Sequence, residues 1–272
     1  MLIAHFFDRI PILILLVGTI IIMMLIMEFG FRLGVNAQVK AKRAQASQVR
    51  AIMGAGLGLL AFMLAFTFST AQSHFEARVQ SLAEEARIAR NAFLQADMMP
   101  EPASSEAKEL LKNYIKLRAG ISLVKGSRAA EQVAELLRLS EQTHHDLWLL
   151  AVRAGADTVP QGQSDRGTPF MVSVLALTDI HYTRVHAAVM NRIPVTIWLT
   201  LYLMAALAMI ITGYQAGLTN NRSPVATVTL AVAFSAVIIL ITDLDRPIMS
   251  FFDINKQLLV DLYNYMEADM NL

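Results

Sequence analysis

Between Gly54 and Arg90 the chain reads GAGLGLLAFMLAFTFSTAQSHFEARVQSLAEEARIAR. The first half is apolar and rich in small residues. The second half is polar and made of helix formers, and no Gly or Pro occurs from Ser69 to Met99. This pattern predicts one long helix that crosses a bilayer and continues into water. Such a helix joins a membrane part to a soluble part, so a signal or solute passing between them meets it.

Four stretches are apolar over the roughly 20 residues that a hydrocarbon core requires. They are Pro11–Met27, Ala51–Thr70, Pro194–Gly213 and Val225–Thr242. In lipid, backbone N–H and C=O groups must be satisfied within the element, so all four are expected to be helices. Pro11–Met27 has no A-x-A-like cleavage site, and Glu28–Arg32 continues it, so it reads as a span and not as a signal peptide. The charged fraction, 17%, lies below the roughly 25% of soluble domains, and the mean hydropathy is +0.47. A net charge of +1 gives no basic face for nucleic acid. The absence of cysteine excludes disulfides, iron–sulfur clusters and cysteine-type zinc sites.

The expected fold class is all-α: a polytopic membrane protein with four transmembrane helices and a soluble helical bundle inserted between spans two and three. The predicted divisions are 1–70 (spans one and two with a basic connection), 71–192 (soluble bundle), 193–247 (spans three and four) and 248–272 (a C-terminal amphipathic helix). The connection Glu28–Arg50 carries Arg32, Lys40, Lys42, Arg43 and Arg50, and is read as helical and wet. Gly54, Gly56 and Gly58 on span two predict close packing against a neighbouring span, or a hinge in a pore helix. In the insert, Pro100 and Pro102 stop the long helix, and Ser104 or Ser105 is placed to cap a helix over Glu106–Ala119. Gly120 and Gly126 mark a break or kink. Further helices are expected over about Ser127–Ala154 and from about Pro169, separated by the loop Gly155–Thr168. Short connections between four helices predict an up-down bundle. Phe251, Ile254, Leu258, Leu262 and Tyr265 give the C-terminal helix an apolar stripe, docked on the bundle or lying at the membrane surface.

Three motifs, in order, are LLAFMLAFTFS (Leu59–Ser69), ADMMPEP (Ala96–Pro102) and DLDRP (Asp243–Pro247). As a set they resemble the bestrophin-like domain family of bacterial membrane proteins over nearly the whole chain. One departure is that DLDRP is usually followed by a glycine near the position of Ser250. The resemblance implies a distant likeness to bestrophins: pentameric channels with two spans, a helical insert and two further spans. It implies that span two lines a pore with an apolar constriction, in a bacterial inner-membrane protein that permeates inorganic ions.

Phe62, Phe66, Ser69, Ser73 and Gln80 share one helical face, with Leu59 near its edge. Under the resemblance, Leu59, Phe62 and Phe66 form a neck that opens into a vestibule of Ser69, Ser73, Glu76, Gln80 and Glu84. Hydrophobic constrictions gate by dewetting, and acidic rings favour cations. The alternatives are a Phe stripe packed against spans one and three, and a solvated acidic face with local pairs such as Glu84 with Arg87. Asp243, Asp245 and Arg246 at the end of span four are either an interfacial anchor or a contact coupling that span to the bundle or to a neighbouring subunit. His144 and His145 point about 100° apart on a helix. His181 and His186 are five apart, and neither pair has the i,i+4 spacing of the helical zinc motif. Asp146 and Asp179 add no metal-ligand pattern. No phosphate loop, nucleophile elbow or catalytic carboxylate pair is present, so no enzyme, cofactor or metal site is expected.

Two functional classes stand at this point. One is a homo-oligomeric ion channel, pentameric by resemblance, with span two as pore helix. The other is a membrane sensor or scaffold whose bundle binds a small molecule or partner protein. Counting Lys and Arg over short loops places Glu28–Arg50 in the cytoplasm and the bundle outside. The resemblance implies the reverse.

Overall fold

The computed structural model describes residues 10–38, 43–124, 129–156, 167–190, 192–220, 223–246 and 257–271. These residues are helical with no strand among them. The helices are α1 (Ile12–Gln38), α2 (Arg43–Ala96), α3 (Ala103–Leu123), α4 (Ala129–Ala156), α5 (Thr168–Met190), α6 (Val195–Thr219), α7 (Pro224–Asp245) and α8 (Gln257–Asp269). Four of them, α1, α2, α6 and α7, are long and apolar enough to cross a membrane. The chain is a membrane protein. It divides into two compact units, one of residues 1–75 and 192–251, the other of 76–191 and 252–272.

In the first unit α1 packs along α6 and α7. Met23 and Met27, Leu60 and Leu64, Leu201 and Met209, and Ile238 and Ile241 fill its interior. The α1–α6 contact is built on glycine. A Cβ placed on Gly30 would lie 2.2 Å from the Ile210 carbonyl oxygen, and one on Gly34 2.2 Å from that of Tyr214. The reciprocal positions are as tight: 2.0 Å from Gly213 to the Met27 oxygen and 2.3 Å from Gly217 to the Phe31 oxygen. Each helix thus presents two glycines four residues apart, and backbone meets backbone. Lipid tails are as apolar as Leu, so span association depends on such close approach. The glycines singled out from the sequence behave differently. Within the chain a Cβ on Gly54, Gly56 or Gly58 would meet nothing within 4 Å.

Span ends carry local stops. Ser223 Oγ accepts from the Ala226 N–H at 3.4 Å, with Pro224 opening α7. Asn220 closes α6 in the left-handed region, at φ 46°, a conformation Asn tolerates better than most residues.

The second unit is a helical bundle. Leu82, Ala86, Ala89, Phe93 and Ala96 repeat at helical spacing along α2 and are buried. They pack with Leu111 and Ile115 of α3, Leu147 of α4, and Phe170, Val174 and Leu177 of α5. The third helix starts at Ala103, three residues before the sequence-based boundary, and runs through Gly120. Its first turn is held by Glu101, whose carboxylate accepts from the Ser105 hydroxyl at 2.7 Å and the Ser105 N–H at 3.3 Å. Helix α8 lies on α3 and buries Leu259, Leu262 and Met266. That face is shifted from the predicted stripe: Leu258 and Tyr265 are exposed, and Phe251 and Ile254 lie outside the described residues. Lys108 ion-pairs with Asp97, beyond the end of α2, and with Asp269 of α8 at 3.0 Å.

Candidate functional site

Two features stand out, one on the surface of α2 and one inside the bundle. In the membrane part of α2 the buried residues are Leu60, Leu64, Thr67 and Ala71. At 100° per residue they lie opposite Phe62 and Phe66. Phe62 is 66% exposed, Phe66 57% and Leu59 51%, so none is packed into the chain's own interior. The exposed face continues through Ser69, Ser73, Glu76 and Gln80 to the half-buried Glu84. It changes from aromatic to hydroxylic to acidic within six turns. At its far end Arg87 Nε donates to Glu84 Oε2 at 2.9 Å, an exposed i,i+3 pair. The local pairing weighed from the sequence is therefore present for Glu84.

At the end of α7, Asp243, Asp245 and Arg246 are all buried. Asp245 Oδ1 accepts the Ile193 N–H at 2.9 Å, just before α6 begins. Arg246 Nη2 donates to the Ile10 carbonyl oxygen at 3.0 Å, just before α1 begins. These two side chains tie the end of span four to the entrances of spans three and one. A carboxylate at the start of α6 also suits the positive end of that helix dipole.

Inside the bundle lies a polar cluster to which four helices contribute. Glu85 of α2 is fully buried. Arg118 of α3 reaches its Oε1 with Nε at 2.9 Å. Arg184 of α5 ion-pairs with Oε2, and the Tyr114 hydroxyl of α3 donates to Oε1. His181 Nδ1 lies 3.3 Å from the Tyr114 oxygen. The His144 ring of α4 stands edge-on to both Tyr114 and His181, with centroids 4.6 Å away in each case. Burial dominates the titration of these groups. It lowers His144 to about 3, helped by His181 and Arg118. It lowers His181 to about 4, helped by Arg118. It brings Arg184 down to about 10 and pushes the Tyr114 phenol up. At neutral pH both imidazoles are uncharged. Glu85 compensates two guanidiniums at once, in a site where an unpaired charge is costly. Among the described residues no three His, Asp or Glu side chains are grouped to hold a metal ion.

A family model for the bestrophin-like domain matches residues 17–257. The chain belongs to the bestrophin-like domain family. No curated protein and no solved structure matches it. The match runs from span one to the start of α8 and takes in both features.

Within this bestrophin-like chain the structure gathers Leu59, Phe62, Phe66, Ser69, Ser73, Glu76, Gln80 and Glu84 along one side of α2. Asp243, Asp245 and Arg246 sit apart from them, at the base of α1 and α6. The sequence reading missed Glu85, Tyr114, Arg118 and Arg184, and it weighed His144 and His181 only as possible metal ligands, which their spacing did not favour. A signal was present. Glu85 falls within the small apolar stripe Leu82, Ala86, Ala89 and Ala92, and Arg118 within Leu111, Tyr114, Ile115 and Ala119. A charged residue inside an apolar stripe must find a partner there. His145, Asp146 and Asp179 point outward and are exposed.

Proposed function

We propose that this bestrophin-like protein is the subunit of a homo-oligomeric ion channel in the bacterial inner membrane, with α2 lining the pore. The observation that carries this reading is the unpartnered face of α2. Phe62 and Phe66, more than half exposed, stand opposite the face that the subunit buries. Copies arranged around an axis, five by family resemblance, would turn Phe62 and Phe66 into an apolar neck. Ser69, Ser73 and Gln80 would line the passage beyond it. An ion in a narrow phenyl-lined passage loses hydration and gains no carbonyl or charge in return, so the neck limits conduction. Glu76 supplies acid to the vestibule and supports a cation preference. Arg87 offsets part of the charge of Glu84 on the same surface.

Liposome flux tests this reading. Phe62→Ala with Phe66→Ala should wet the neck and raise flux above wild type, with the fold retained. A folded, oligomeric variant with flux at background would reject α2 as the pore helix. That result would favour the second reading, a membrane sensor whose bundle takes a small molecule or partner, which the buried polar cluster supports.

A further inference from the structure

The cluster inside the bundle has a hydrogen-bond logic that fixes where its protons are. A carboxylate only accepts, so the Tyr114 hydroxyl gives its one proton to Glu85. Toward His181 the same oxygen is then an acceptor. The 3.3 Å contact therefore puts the ring hydrogen on His181 Nδ1. That tautomer leaves His181 Nε2 as a bare lone pair, buried and with no hydrogen-bond partner among the described residues. His144 is 6% exposed, and neither of its ring nitrogens has such a partner. A neutral imidazole always has one bare nitrogen. The core thus holds two neighbouring nitrogens that accept protons and have no hydrogen-bond partner among the described residues.

We infer that His144 and His181 form a proton-binding site, and that filling it loosens the clamp Glu85 makes across the bundle. The charged groups around the pair set the direction. Helix α2 brings Glu85, with Arg78 two turns earlier on the same buried face; α3 brings Arg118; α5 brings Arg184. One carboxylate against Arg118 and Arg184 already leaves a positive excess. Ser140 and Thr143, the buried hydroxyls near His144, donate to carbonyls of their own helix at 2.8 and 3.0 Å and bring no charge. A proton on either ring adds a third cation to a site where, among the described residues, Glu85 is the one acid and is shared by three donors. The ring then competes with Arg118 and Arg184 for Glu85, or leaves the core. Arg184, its side chain 20% exposed, marks the side nearest solvent.

The sign follows from linkage. An opened bundle returns both rings to an ordinary value near 6.5. The closed bundle holds them at about 3 and about 4. Protons therefore favour the opened form, and the effect begins below about pH 6.5. Protection is complete above that value and is lost as pH falls toward 4. At pH 5 each histidine should favour opening by about 30-fold relative to pH 7.5.

Hydrogen exchange of the full chain in lipid nanodiscs, corrected for intrinsic rates, measures this. Amides of α3, α4 and α5 should lose protection between pH 7.5 and pH 5, while those of α6 and α7 do not. His144→Phe with His181→Asn should abolish the acid response. Asn keeps a donor toward Tyr114 but does not titrate, and Phe keeps the edge-on ring. His145→Asn, at the exposed neighbour, should respond as wild type does. If the double variant does not fold, His144→Phe alone decides, since it should remove one of the two roughly 30-fold factors. Full protection of the wild type at pH 5, or an acid response that survives these changes, overturns the inference. None of these readouts depends on conduction.

Discussion

The two units of this chain are held together by opposite means. In the membrane unit the α1–α6 contact has almost no side chain in it: at Gly30, Gly34, Gly213 and Gly217 backbone lies against backbone. In the bundle, large side chains such as Phe93, Tyr114 and Phe170 are fully buried, and Tyr114 joins an ionic cluster in the same core. The difference follows from the solvent. Water drives apolar side chains together, and the gain, roughly 25 cal/mol per Å² of apolar area, supports a core that also contains a demanding polar network. Lipid gives no such drive, so span pairs rely on dispersion at very short range and on stray polar links such as Asp245 to Ile193.

The largest effect should come from breaking the bundle's network. Glu85→Gln removes the carboxylate that Arg118, Arg184 and Tyr114 share. Stranding buried charge in this way costs about 3–5 kcal/mol. Thermal unfolding of the purified protein should show the bundle transition shifted down, with the membrane unit intact in detergent. A loss below about 1 kcal/mol would mean that water reaches the cluster through the Arg184 side and screens it as at a surface.

Next in size is the glycine contact. Gly213→Ala puts a Cβ where the Met27 oxygen lies 2.0 Å away, and the obstacle is backbone, so a helix must move. Overpacking of this kind costs about 1–3 kcal/mol. Gly18→Ala, on α1 but with nothing within 4 Å, is the matched control and should be neutral. Equal behaviour of the two variants would show that α1 and α6 separate without penalty.

How far each unit could be read from sequence follows the same division. The spans were legible because an apolar run of span length is a local signal, as were the long helix through Ser69 and the stop at Pro100 and Pro102. The bundle helices followed from periodicity, with ends displaced where a cap came from an unexpected place: Glu101, not a serine oxygen, holds the start of α3. The cluster was not legible as a site. Glu85, Tyr114, Arg118, His144, His181 and Arg184 come from four helices, and no spacing rule connects residues so far apart in the chain. The glycine contact was half legible. The rule that small residues permit close approach holds, but the chain applies it within itself at Gly30, Gly34, Gly213 and Gly217, and not at Gly54, Gly56 and Gly58.

That leaves the glycines of α2, where the smallest effect on the subunit is expected. Gly54 and Gly58 are exposed, and a Cβ on either meets nothing within 4 Å. In a helix interior Ala is favoured over Gly by up to about 1 kcal/mol, because Gly surrenders more backbone freedom. Gly54→Ala with Gly58→Ala should therefore leave the subunit's thermal stability unchanged or slightly raised. The informative readout is native mass in mild detergent, measured beside stability. If the oligomer survives, these glycines face lipid or open space, and the contrast between α1 and α2 is complete: one helix uses its glycines to pack and the other does not. If the subunit stays folded but the assembly dissociates, the second helix uses the same close approach as the first, between copies of the chain. Alanine then acts as Gly213→Ala does within one copy, through an added methyl group that backbone on the far side cannot yield to.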